Sequence, residues 1–131
     1  MNVNELRIGN YITTSYRGFK IFLITEINKG TVSFDSLVDN FSSYTIYPYV
    51  KPIPLTEEIL LKCGFKKREY STADKWFIGE NPITYDWMFE LTWINGDSSP
   101  FFKNGFHKIN YLHQLQNLYF ILTGEELEIN L

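Results

Sequence analysis

The stretch Asn110-Tyr-Leu-His-Gln-Leu-Gln-Asn-Leu-Tyr-Phe-Ile-Leu-Thr-Gly124 constrains this chain more than any other. An α-helix turns by about 100° per residue. With Leu115 set at zero, Tyr111, Leu112, Leu118, Tyr119 and Leu122 fall within about 60° on either side, one apolar face of a surface helix. Asn110 suits the N-cap, since its amide oxygen can accept from the free N–H groups of the first turn. Gly124 suits the left-handed position that ends a helix. The spacing therefore predicts a helix over about 111–123.

The opposite face carries His113, Gln114, Gln116 and Asn117, which want water or hydrogen-bonding partners. Phe120 breaks the pattern, about 140° from Leu115. Burying a Phe is worth roughly 1.5–3 kcal/mol, so something is expected to cover this side. The chain's own Glu125–Leu131 could do so, or another molecule. His113, Gln116, Asn117 and Phe120 are accordingly the candidate protein-contact residues.

A chain of 131 residues with 44% hydrophobic content is long enough for one core and short for two large domains. The expectation is a single domain with sub-blocks 1–54 and 55–131. The fold class expected is α+β. Short strands in the first fifty or so residues suit a small SH3-like barrel, and an antiparallel meander follows, with helices at about 56–63 and 111–123. The first strand is expected over Glu5–Thr14 and the next over Phe19–Asn28. Lys29-Gly30 should turn the chain into Thr31–Asp35. Val38 and Phe41 sit in a polar loop, and Tyr44–Val50 is extended, at an edge because of Pro48.

Thr56 is the natural N-cap of the short helix, Glu57 and Glu58 complement its positive end and Gly64 stops it. Beyond Phe65, strands are expected at Phe65–Tyr70 and Lys75–Ile78, with a turn at Gly79–Pro82. Tyr85, Trp87, Phe89, Leu91 and Trp93 then alternate with Asp86, Met88, Glu90 and Thr92. The aromatic side of that strand should receive the 111–123 helix. Phe101–Ile109 is interrupted at Asn104-Gly105, and Glu126–Leu131 could close the sheet as an edge strand.

Chemistry is sparse. Cys63 is the one cysteine, so neither an internal disulfide nor a cysteine zinc cage can form. It falls at the negative end of its helix, where a thiolate is disfavoured, and reads as a small buried hydrophobe. His107 and His113 are the two imidazoles and lie outside any metal-ligand spacing. A thiol enzyme would need Cys63, His113 and a carboxylate brought together. There is no phosphate-binding glycine loop and no calcium ladder. The expectation is a protein that is not an enzyme and takes no cofactor.

A net charge of −3 argues against a protein held mainly by nucleic-acid phosphates. Lys66-Lys67-Arg68 with exposed aromatics, from among Trp76, Trp87, Trp93, Tyr44, Tyr47 and Tyr49, is the alternative, a stacking site for single strands. As structure alone, the triplet is a solvated turn and the aromatics are core. No apolar run approaches the ~20 residues of a membrane helix and the N-terminus lacks an apolar secretion signal. A cytoplasmic location without a membrane partner is expected.

Three segments, Glu5-Leu-Arg-Ile-Gly-Asn-Tyr-Ile12, Pro52-Ile-Pro-Leu-Thr-Glu-Glu-Ile-Leu-Leu-Lys-Cys-Gly-Phe65 and Tyr111–Leu127, resemble a group of uncharacterised short proteins encoded by gut anaerobic bacteria and their phages and prophages. The resemblance implies an intracellular bacterial or phage accessory protein and brings no site residues. With the contact face, it makes protein–protein contact, with a partner or in a homo-oligomer, the leading functional expectation.

Overall fold

The computed structural model describes residues 3–15, 20–36, 42–79, 89–102 and 107–130. Expectations for Val38, Phe41, residues 80–82, Tyr85, Asp86, Trp87, Met88 and Asn104-Gly105 lie outside the described residues. The fold is α+β with two antiparallel sheets and two helices, and the chain divides into two compact units.

The first unit comprises Met1–Pro54 and Tyr111–Glu126. Its strands are β1 (Tyr11–Thr14), β2 (Phe22–Ile27), β3 (Thr31–Ser36), β4 (Ser42–Ile46) and β5 (Val50–Lys51), in the spatial order β4-β3-β2-β1-β5. This sheet is a strongly curled half-barrel, the form that the expected small barrel takes. A bulge between Ile24 and Glu26 shifts the β2–β3 register, and bulges bend and twist strands. Lys29-Gly30 makes the expected reversal: Asn28 donates to the Thr31 carbonyl at 2.9 Å and Gly30 has φ +92°. Pro48 falls in a 3-10 turn, Tyr47–Tyr49, between β4 and β5, so the extended run expected over 44–50 is broken there.

The inner face buries Ile12, Phe22, Ile24, Val32, Phe34 and Val50, with the Phe22 and Phe34 rings 4.5 Å apart. The first strand is shorter than expected. Residues 3–5 form a 3-10 turn, and the chain reverses at Ile8-Gly9, where φ of Gly9 is +94°.

The second unit comprises Leu55–Asn110 and Leu127–Leu131. Its helix α1 (Glu57–Lys62) is capped as its sequence demands, the Thr56 hydroxyl accepting from Ile59 N–H at 3.2 Å. At the other end Gly64 has φ +88°, Phe65 donates to the Leu60 carbonyl and Gly64 to that of Leu61. That bond pair closes a helix whose last carbonyls lack partners. The meander then runs β6 (Lys66–Glu69), β7 (Ala73–Ile78), β8 (Phe89–Ile94) and β9 (Phe101–Phe102), neighbours in that order. Trp76, Phe77, Phe89 and Leu91 are buried. So is Glu90, with Lys75 Nζ at 3.4 Å, so the polar side of β8 is covered as well.

The second helix, α2 (Leu112–Thr123), belongs to the first unit and sits against β1. Its start is stitched to the segment before α1, with Leu112 N–H donating to the Ile53 carbonyl at 2.9 Å. The N-cap is Tyr111, and Asn110 instead accepts from the Ser99 hydroxyl at 2.7 Å. Gln114 takes over part of the capping, its side-chain oxygen accepting from Tyr111 N–H. Gly124 ends the helix as expected, at φ +74°. Residues 126–130 form no strand, and Asn130 N–H donates to the Lys62 carbonyl instead.

Candidate protein-contact surface on the second helix

The polar side of α2 is where the helix meets its own N-terminal segment. Gln116 is 1% exposed and accepts from Tyr11 N–H at 2.8 Å while donating to the Gly9 carbonyl at 3.0 Å. A primary amide has one acceptor and one donor end, so a single side chain satisfies both groups of a bent backbone. Asn117 does similar work one residue on. It donates to the Glu5 carbonyl at 2.7 Å and accepts from the Asn10 amide at 2.8 Å and from Arg7 Nε at 3.2 Å.

His113 is fully buried, with Nε2 3.0 Å from Glu5 Oε2 and its ring stacked on Tyr111. Its Nδ1 has no hydrogen-bond partner among the described residues. Burial pushes the imidazole below its ordinary value, and the Glu5 carboxylate only partly opposes that. The hydrogen bond from His113 in turn holds Glu5 below the usual carboxylate range. The neutral ring thus donates from Nε2, and a proton on Nδ1 would be an unmatched buried donor.

Of the four expected contact residues, the structure spends His113 and Gln116 wholly, and Asn117 largely, on this internal seam. Phe120 remains at the surface, 38% exposed. Its ring is covered on one side by the Arg7 guanidinium, 4.5 Å from the centroid. Arg7 is itself gripped by Glu126, through Nη1 and Oε1 and through Nη2 to Oε2 at 3.0 Å.

Beside Phe120 stand Ile121, which the sequence pattern assigned to neither face, at 76% exposure, and Leu122, expected on the packed apolar face but 48% exposed. The signal was present: three consecutive apolar residues span about 200° of a helix, more than one packed face can cover. An open groove beside them is lined by Asn4, Glu5, Leu6, Arg7, Asn117, Phe120 and Ile121. No Asp, Glu, Lys or Arg occurs within α2, Leu112–Thr123.

Against known proteins, no family model, no curated protein and no solved structure matches this chain.

The other candidate residues lie in the second unit. Lys66, Lys67 and Arg68 form β6, an edge of the meander. Lys67 Nζ lies within 3.5 Å of carboxylate oxygens of Glu57, Glu69 and Asp74, which raise its pKa, the Glu69 bond foremost. Arg68 lies over the Phe77 ring at 5.1 Å. Trp76 is buried and Trp93 donates its indole N–H to the Asp97 carbonyl. Tyr44 and Tyr49, in the first unit, are exposed.

Cys63 is buried at the end of α1, and burial pushes its thiol up to about 12. His113 belongs to the other unit. Among the described residues no three His, Cys, Asp or Glu side chains converge as a metal site would need, and no helix is long and apolar enough to cross a membrane.

Proposed function

We propose that this chain is a non-enzymatic accessory protein that works by protein–protein contact, through the last turns of α2. The observation that carries the reading is the run Phe120-Ile121-Leu122, exposed at the end of a helix without a charged residue. Exposed apolar residues scattered singly are ordinary, while contiguous ones mark contact sites. A helix that is apolar on most of its circumference is normally covered. The resemblance of the three sequence segments adds a bacterial or phage setting and an intracellular one to the proposal.

The nucleic-acid reading has less support, because Lys67 is already neutralised by three carboxylates. Binding to phosphates requires cations that can release counter-ions.

Affinity purification of the wild-type chain and of Ile121→Glu from the producing cell tests the proposal. The wild type is expected to retain an associated protein that the variant loses, at unchanged thermal stability. Equal recovery from both would refute the surface.

A further inference from the structure

We infer that the free edge of β4 pairs with the same edge of a second copy of this chain, antiparallel about Tyr44, in a weak two-fold dimer. This contact is separate from the α2 surface, and its failure would leave that surface standing.

β4 is an outer strand of its sheet, with β3 on one side only. Its register fixes which backbone groups point outward. Tyr47 N–H donates to the Gly30 carbonyl at 3.3 Å, so in the alternation that follows the Val32–Thr45 and Phe34–Ser43 pairs are the hydrogen-bonded ones. The intervening pairs Thr31–Ile46, Ser33–Tyr44 and Asp35–Ser42 turn their own N–H and C=O groups away from each other. Thr31 agrees, since its N–H and C=O are both bonded to Asn28. Ser42, Tyr44 and Ile46 therefore hold their N–H and C=O groups outward, without a hydrogen-bond partner among the described residues. Tyr44 is 71% exposed, so the edge is open.

A row of alternating donors and acceptors asks for an extended backbone, where an apolar patch would accept any apolar surface. A loose peptide must be ordered as it binds, whereas a strand already held in a sheet has met that cost. The other edges of the two sheets do not qualify as such a strand. β5 and β9 have two residues each, and β6 carries Lys66, Lys67, Arg68 and Glu69, the kind of charge that keeps edges apart. β4, Ser-Ser-Tyr-Thr-Ile, has no charge.

This edge also matches itself. A two-fold axis at Tyr44 pairs Tyr44 with the second copy's Tyr44, and Ser42 with the second copy's Ile46, so each outward donor meets an acceptor. The two Tyr44 rings then form a cross-strand aromatic pair, a favourable one. Charge selects the antiparallel direction. Asp35 lies beside Ser42, and the Lys29-Gly30 turn adjoins Thr31, beside Ile46. Antiparallel pairing sets Asp35 of each copy towards the Lys29 end of the other, whereas parallel pairing would line up the two Asp35 carboxylates. With strands about 4.8 Å apart and about 3.3 Å per residue, the two Asp35 residues stand about 20 Å apart, beyond the screening length of about 8 Å at physiological salt.

The test is sedimentation of the purified full chain from about 10 µM to about 1 mM, the range of a weak contact, with amide hydrogen exchange followed at each concentration. Expected is an apparent mass rising towards twice 15.5 kDa. The Tyr44 and Ile46 amides should exchange more slowly as concentration rises, while Ser43 and Thr45, already bonded to β3, change much less. Tyr44→Lys sets like charges against each other on the axis and should abolish both the mass increase and the slowing at Ile46. Ile121→Glu should change neither. A constant mass, or Tyr44 exchange that does not depend on concentration, overturns the inference. Self-association that persists in a folded Tyr44→Lys variant, or that Ile121→Glu abolishes, overturns it as well. Should Tyr44→Lys fail to fold, the wild-type exchange pattern decides: slowing confined to the outward amides supports the pairing, and equal slowing at Ser43 and Thr45 overturns it. A different protein's strand seated on β4, with no self-association, overturns the second copy.

Discussion

Gln116 shows how much one amide can hold. Truncating it to Ala would strand Tyr11 N–H and the Gly9 carbonyl, both now bonded to that side chain. An unmet buried polar group costs about 1–3 kcal/mol. Gln116→Ala is therefore expected to destabilise by about 2–4 kcal/mol in urea unfolding, the lower end if water reaches either group. A loss below about 0.5 kcal/mol, the range of an ordinary surface change, would mean that the amide does not seat the helix. His113 adds a pH dependence. Its folded pKa lies below the ordinary 6.5, so the unfolded chain takes up the proton first and stability falls as pH drops through that value. The fall levels off once pH is below the folded pKa. Glu5, also lowered, adds a separate loss as pH falls below its ordinary 4.5. His113→Gln should flatten the stability profile between about pH 7 and 5.5, the range where an ordinary histidine titrates. An unchanged slope would contradict a neutral buried ring.

At the scale of elements, local chemistry was legible and long-range pairing was not. The Thr56 cap and the Gly64 stop of α1, the Lys29-Gly30 reversal and the Gly124 stop of α2 each follow from neighbours a few residues away. Thr56→Ala should cost about 1 kcal/mol, and Gly64→Ala about 1–2 kcal/mol, because φ +88° disfavours any Cβ. Thermal unfolding checks both, and a neutral Thr56→Ala would show that the cap bond contributes nothing net. By contrast, His113, Gln116 and Asn117 reach partners more than a hundred residues away in sequence. Helical periodicity marks such residues as polar without saying that their polarity is consumed by a reversing backbone at 5–11. The match between the amides of α2 and the turn before β1 is likewise invisible to periodicity.

For the whole molecule, the sequence suggests sub-blocks 1–54 and 55–131, whereas the first compact unit combines Met1–Pro54 with a return of the chain at Tyr111–Glu126. That return makes Phe120 understandable. Once the polar side of α2 is used on residues 5–11, the apolar circumference of its last turns exceeds what Arg7 covers, leaving Phe120, Ile121 and Leu122 outward. The account stands on that excess being a contact surface. Its most direct test is site-specific photo-crosslinking in the producing cell, with a photo-reactive phenylalanine analogue in place of Ile121 and, as comparison, in place of Leu61. The account predicts a discrete protein adduct from position 121 and none from position 61. No adduct from position 121, or the same adducts from both positions, would contradict it.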